Sequence, residues 1–110
     1  MTSQDEAIRE ITRRLVDYYH PVKIYLFGST ARGEAGSDSD LDFCVVVPDE
    51  TPNKKLSVRS AWEAVQGVGY ANDVIPLRLT DFEQRAAEVR ASLPATIVRE
   101  GRLLYESQRR

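Results

Sequence analysis

Cysteine and histidine are nearly missing from this chain of 110 residues: Cys44 and His20 are the only ones. A lone thiol excludes an internal disulfide, and one thiol with one imidazole excludes a Cys/His zinc centre. No apolar run approaches the ~18–20 residues of a membrane-spanning helix. No charged-then-apolar leader opens the sequence, so a cytoplasmic address and no membrane partner are expected. Positive charge is also short, with 15 Lys and Arg against 17 Asp and Glu for a net charge of −2. Such a balance lacks the broad basic footprint that holds DNA or RNA, so direct nucleic-acid binding is not expected. The G-x-x-x-x-G-K-[ST] phosphate loop is missing, and neither Gly28…Gly33 nor Gly67…Gly69 makes a G-x-G-x-x-G fingerprint. Repeats, linkers and low-complexity tracts are lacking as well, so residues 1–110 read as one domain. Apolar residues make up 42% of it, enough for a core without covalent or metal staples.

Periodicity supplies the elements. Ile8, Ile11, Leu15, Val16 and Tyr19 form a helical stripe, Ser3 and Glu6 offer a capping box, and His20-Pro21 ends the segment. A helix over about Asp5 to Tyr19 is expected. Val22 to Phe27 is a short β-branched and aromatic strand closed by Gly28-Ser29, and Leu41 to Val47 is a second, nearly all apolar. Thr51-Pro52 predicts a helix start, with Val58, Ala61, Trp62 and Val65 as its buried face up to Gly67 and Gly69. Asn72 to Leu79 is a third strand, placed at a sheet edge or bulged by Pro76. Thr80 is expected to cap a helical region through Arg99, broken in two by Pro94. Gly101 ends it, and Arg102 to Tyr105 can add a terminal strand. The fold class is α/β (α+β), a small mixed sheet with helices packed against it.

The chemistry concentrates between Gly28 and Asp42, GSTARGEAGSDSDLD. Asp40 and Asp42 lie two apart at the start of a strand, so the pleat sends both carboxylates to one face, with α-carbons about 7 Å apart. Four acids and no base stand between Glu34 and Asp42. Two such carboxylates repel unless they share a hard cation, and Mg²⁺ binds through a few carboxylates while keeping water and phosphate oxygens. Upstream, Gly28 allows close backbone approach to a phosphate, Ser29 can donate its hydroxyl, and Arg32 can offer a planar fork. Asp73 begins the third strand, the expected neighbour of the second. A carboxylate there can complete a two-cation site or act as general base toward a hydroxyl. Cys44, deeper in the apolar run, reads as core, as does Trp62, and His20 as a solvated helix end.

Gly28-Ser29, ten intervening residues, then Asp40-Leu41-Asp42 is the G-S-x10-D-x-D pattern of the DNA polymerase β-like nucleotidyltransferase superfamily. The longer string GSTARGEAGSDSDLDFCVV, with a helix before it and the Asp73 strand after it, resembles the minimal nucleotidyltransferases over essentially the whole chain. The resemblance implies the polymerase-β-like fold. It implies that Asp40, Asp42 and Asp73 form a Mg²⁺-binding catalytic triad, and that Gly28 and Ser29 hold the triphosphate of ATP, with Arg32 as a further phosphate contact. It also implies transfer of AMP to a hydroxyl acceptor. Small members of the family are typically paired with a HEPN-domain protein. Several pairs resemble toxin–antitoxin systems in which a tyrosine of the HEPN toxin is AMPylated. Two other readings stand beside this one: an antitoxin that occludes a HEPN partner with a vestigial nucleotide site, and nucleotidyl transfer to a small molecule. Nucleotide base preference, the number of AMP units transferred and oligomeric state are not written in these residues.

Overall fold

The computed structural model describes residues 3–28 and 40–107. Helix α1 spans Gln4–Tyr19, one residue longer than its stripe predicts. Its capping box is complete: the Glu6 N–H donates to Ser3 Oγ and the Ser3 N–H donates to Glu6 Oε1, each at 3.1 Å. Ala7, Ile8, Ile11, Leu15 and Tyr19 are buried. His20 leaves the helix through the left-handed region (φ 47°, ψ 57°), not the extended one usual before proline. Its N–H still donates to the Val16 carbonyl at 2.9 Å, which closes the last turn.

Four strands form one mixed sheet in the order β3-β2-β1-β4, with β1 Lys23–Phe27, β2 Leu41–Val47, β3 Asn72–Arg78 and β4 Arg102–Glu106. Strand β1 runs antiparallel to both β2 and β4, whereas β3 runs parallel to β2. Pro76 therefore sits on an edge strand, where its missing N–H costs no ladder bond on the open side. Alternation along β2 divides the core. Leu41, Phe43, Val45 and Val47 join Ile24, Leu26 and the buried face of α1. Cys44 and Val46 join Tyr25, Phe82 and Ile97 on the other face. The sheet is thus covered on both sides: by α1 and α2 (Val58–Ala64) on one, by α3 (Leu79–Glu88) and α4 (Leu93–Glu100) on the other.

Three expectations need correction. The predicted helix start at Thr51-Pro52 is instead the lead into a single 3-10 turn, Asn53–Leu56. Helix α2 begins only after Ser57, whose Oγ accepts the Ser60 N–H at 3.0 Å. A cap that strong one turn downstream competes with the proline signal and wins. Second, Trp62 is not core. It is 59% exposed and Val58 is 85% exposed, because α2 turns Ala61, Ala64 and the following Val65 inward. Third, Thr80 is not a cap. Helix α3 already starts at Leu79, with no side-chain cap from Arg78, and the helix end is satisfied from a distance. The Thr80 hydroxyl donates to one oxygen of Asp49, and the Thr80 N–H donates to the other at 2.9 Å. The break at Pro94 does occur: α4 carries that proline in its first turn and Ser92 caps it, the Ala95 N–H donating to Ser92 Oγ at 3.2 Å.

The Asp49–Thr80 cap makes a pH prediction. The hydroxyl bond first, then the amide bond, holds the Asp49 carboxyl below its ordinary value. A carboxyl lowered on folding stabilises above its unfolded pKa, and that stability is lost as pH falls through the folded value. Wild type should therefore melt above Asp49→Ala at neutral pH. The two melting curves should begin to converge as the pH drops below the ordinary carboxylate value of 3.8 and should meet only below the lowered folded value.

Candidate active site

Strand β2 is flanked on both sides, and this sets the position of Asp42. It pairs with Phe27, the last residue of β1, and with Asp73 of β3. Residues directly paired across strands point to the same face, so Asp42 and Asp73 stand side by side, with backbones about 4.8 Å apart. Asp40 immediately precedes β2, where the Leu41 N–H donates to the Ala71 carbonyl at 3.1 Å and ties the starts of β2 and β3 together. Three acids from two strand starts thus gather at one end of the sheet. Asp42 is half-buried, whereas Asp40 and Asp73 are exposed.

The electrostatics report the crowding. The Asp42 carboxyl is pushed above its ordinary range, first by burial, then by the charge of Asp73 and then by that of Asp40. Like charges on directly opposed residues destabilise a sheet, so the fold holds Asp42 where its ionisation is costly.

Gly28 forms the other wall. It has φ +82°, and a Cβ built on it would lie 2.6 Å from Asp42 Oδ2. Both the left-handed backbone and the close approach call for glycine. The end of β1 therefore presses bare backbone against the Asp42 carboxylate. Ser29 and Arg32 lie outside the described residues.

Cys44 sits two residues deeper on the Asp42 face. It is fully buried, and burial pushes its thiol up to about 12, which leaves no thiolate for nucleophilic work. His20 is exposed just before the start of β1, the end opposite Gly28.

Among the described residues, no group of three His, Cys, Asp or Glu side chains is placed to hold a metal ion. The acids nevertheless fit a hard cation of the Mg²⁺ type. They supply only oxygens, they repel one another when none is bound, and two are exposed, which leaves positions for water and phosphate. A groove of about 390 Å³ borders Asp40, lined by Trp62, Val65, Tyr70, Ala71 and the glycines 67 and 69. Its signal in the sequence is the Gly67-Val68-Gly69-Tyr70 turn just before β3, whose two glycines have φ of +89° and +80°.

Comparison with known proteins agrees with this architecture. The family described as "Nucleotidyltransferase domain" matches residues 6–103. No curated protein sequence matches. Among solved structures, a toxin–antitoxin structure with AMP-PNP shares 24% identity, covering 91% of this chain and 73% of that one, with a TM-score of 0.55. A candidate nucleotidyltransferase from Sulfolobus solfataricus shares 21% identity over 94% of this chain and 81% of that one, TM-score 0.57. A double Asp-to-Glu variant of the toxin–antitoxin MntA–HpeT shares 20% identity over 91% and 73%, TM-score 0.60. These likenesses show a common fold. No described helix is long and apolar enough to cross a membrane. The family match runs from the first turns of α1 into β4 and takes in every acid gathered at the sheet end, so the chain belongs to the nucleotidyltransferase domain family and is an enzyme of nucleotidyl transfer.

Proposed function

We propose that this nucleotidyltransferase is Mg²⁺-dependent and moves AMP from ATP to a hydroxyl acceptor, a tyrosine of a HEPN-domain toxin for which the chain is the cytoplasmic antitoxin. The observation that carries the reading is the placement of Asp42: opposite Asp73 in the sheet, with the backbone of Gly28 against its carboxylate. Two structures of similar fold are toxin–antitoxin complexes, one with AMP-PNP, which supports the choice of partner and nucleotide.

In this reading Asp40, Asp42 and Asp73 would hold Mg²⁺, which when bound offsets the charge that moves onto pyrophosphate. Gly28 keeps the end of β1 free of side chain, so that phosphate oxygens can approach the backbone. Ser29 and Arg32 contact the triphosphate. Asp73, exposed at the start of β3, takes the proton of the acceptor hydroxyl. The acceptor oxygen then bonds to the α-phosphorus as the bond from that phosphorus to the pyrophosphate oxygen breaks, and pyrophosphate departs with the electron pair.

Radiolabelled ATP, Mg²⁺ and a purified HEPN-domain partner should yield label on a partner tyrosine. Equal labelling by Asp42→Ala would contradict the site. Protection of cells by an Asp40→Asn/Asp42→Asn double variant would favour occlusion over transfer.

A further inference from the structure

We infer that the groove between α1 and β4 docks an amphipathic helix of a partner protein, whose carboxylates lie at the end marked by Arg9 and Arg102. The inference draws on neither the acid cluster nor the transfer reaction.

The fold leaves this place open. A sheet face is buried by the layer of helices laid over it. On the α1 side the closest packing is α1 on β2 and α2 on β3, and β4 is the edge strand beyond them. A groove of about 520 Å³ results, with Ile8, Thr12 and Val16 on one flank and Leu104 and Tyr105 on the other. Positions 8, 12 and 16 form one ridge of α1, about 12 Å long at 1.5 Å per residue. Such a ridge receives the i, i+4 anchors of a second helix laid beside it.

The edge strand is shaped for a helix and against a strand. Pairing of β4 with β1 shifts register between Ile24 and Tyr25, which makes Leu104 an extra residue between Tyr105 and Leu103. At this bulge Leu104 and Tyr105 both pack toward the α1 side, where strict alternation would allow only one. The groove gains a second apolar side chain, and the bulge twists the open edge away from further strand pairing.

Charge sets the direction. Gln4, at the start of α1, donates to the hydroxyl of Tyr70, just before β3, and β4 starts at that same end of the sheet, where Arg102 pairs with Leu26. Arg9 and Arg102 therefore mark one end of the groove and Asp17 the other. Both arginines are exposed, and among the described residues neither makes a hydrogen bond or a close ion pair. The charge of Arg9 reaches Glu6 only as the weakest of four influences on that carboxyl. Arg13 is already committed, to Glu10 at 2.6 Å and Asp17 at 3.2 Å. Complementarity asks for acids at the Arg9 and Arg102 end and for none at the Asp17 end. Asp42 alternates with Leu41 and Phe43 and so projects from the opposite face, which keeps docking separate from the acid cluster.

The probe is a fluorescein-labelled amphipathic peptide of about 15 residues, the length at which isolated helices begin to hold. It carries leucine at each third or fourth position and glutamates in one end turn; its counterpart carries lysines there. Fluorescence anisotropy at low salt should show saturable binding of the acidic peptide, about tenfold tighter than the lysine peptide. Arg9→Glu/Arg102→Glu should invert that preference, a gain that misfolding cannot produce. Asp42→Asn should leave the affinity within about twofold, as expected of a distant site. Equal affinity for the two peptides, binding of neither, or a preference that survives the double reversal would overturn the inference. A loss of binding in Asp42→Asn would overturn it as well, by placing the peptide at the acids. So would binding of phosphatidylserine vesicles in place of the peptide, or self-association by sedimentation that the double reversal abolishes, which would make the occupant a lipid surface or a second copy.

Discussion

Asp42→Asn should yield a protein that melts higher than wild type and transfers almost nothing. The stability gain follows from the sheet. Asp42 opposes Asp73 directly, and its carboxyl is raised by burial, by Asp73 and by Asp40. A native carboxyl that holds its proton to higher pH than the unfolded chain costs stability as it ionises. That cost sets in as pH rises through the ordinary 3.8 and is complete above the folded value. The amide removes the charge and keeps the shape. An opposed like-charge pair costs about 0.2–1 kcal/mol, so the melting temperature at pH 7 should rise by roughly 1–4 °C. Below the ordinary carboxylate range the two proteins should melt together. Transfer should fall about 10³-fold, the scale of losing a preorganised electrostatic group at a reaction centre. Thermal scans across pH, with a labelled-ATP assay at neutral pH, check both halves. A variant that melts lower at pH 7, or that keeps activity, would show that Asp42 is an ordinary strand residue.

Gly28→Ala is the second large effect, and its loss should be mostly functional. The added Cβ would meet Asp42 Oδ2 at 2.6 Å, and that atom is the tip of a side chain that can swing aside. The fold then bears mainly the φ +82° penalty, about 1–2 kcal/mol for a residue with a Cβ. Activity bears the displaced carboxylate, and a misplacement of about 1 Å near the reacting atoms can cost about 10²-fold. Chemical denaturation and steady-state kinetics on the same preparation separate the two. A stability loss of that size with unchanged kcat/KM would mean that the contact between Gly28 and Asp42 is incidental.

How much of this was legible in the sequence depended on the range of the interaction. Ser3 and Glu6 sit three apart, and their capping box appears as expected. So do the burial of Cys44, the edge position of Pro76 and the break before Pro94, each of which rests on local chemistry. Asp73 beside Asp42 followed from placing the third strand next to the second, and the parallel register pairs them. Contacts closed by distant residues were out of reach. The cap at Thr80 comes from Asp49, 31 positions away. The exposure of Trp62 follows from the Ser57 cap, which shortens α2 and turns Ala61, Ala64 and the following Val65 toward the core. The groove beside Asp40 forms where the turn after α2 meets the strand start at Asp40, residues that periodicity treats as unrelated.

The central claim is that Asp40, Asp42 and Asp73 share a divalent cation with a nucleotide triphosphate. Crystals grown with Mn²⁺ and a non-hydrolysable ATP analogue test it directly, because anomalous scattering locates the metal independently of the protein. The account predicts a manganese peak about 2.1–2.3 Å from Asp42 oxygen, a little beyond the Mg²⁺ distance, with Asp40 or Asp73 as a second ligand and the phosphates toward Gly28. An ordered nucleotide whose metal lies elsewhere, with Asp42 uncoordinated, would contradict it.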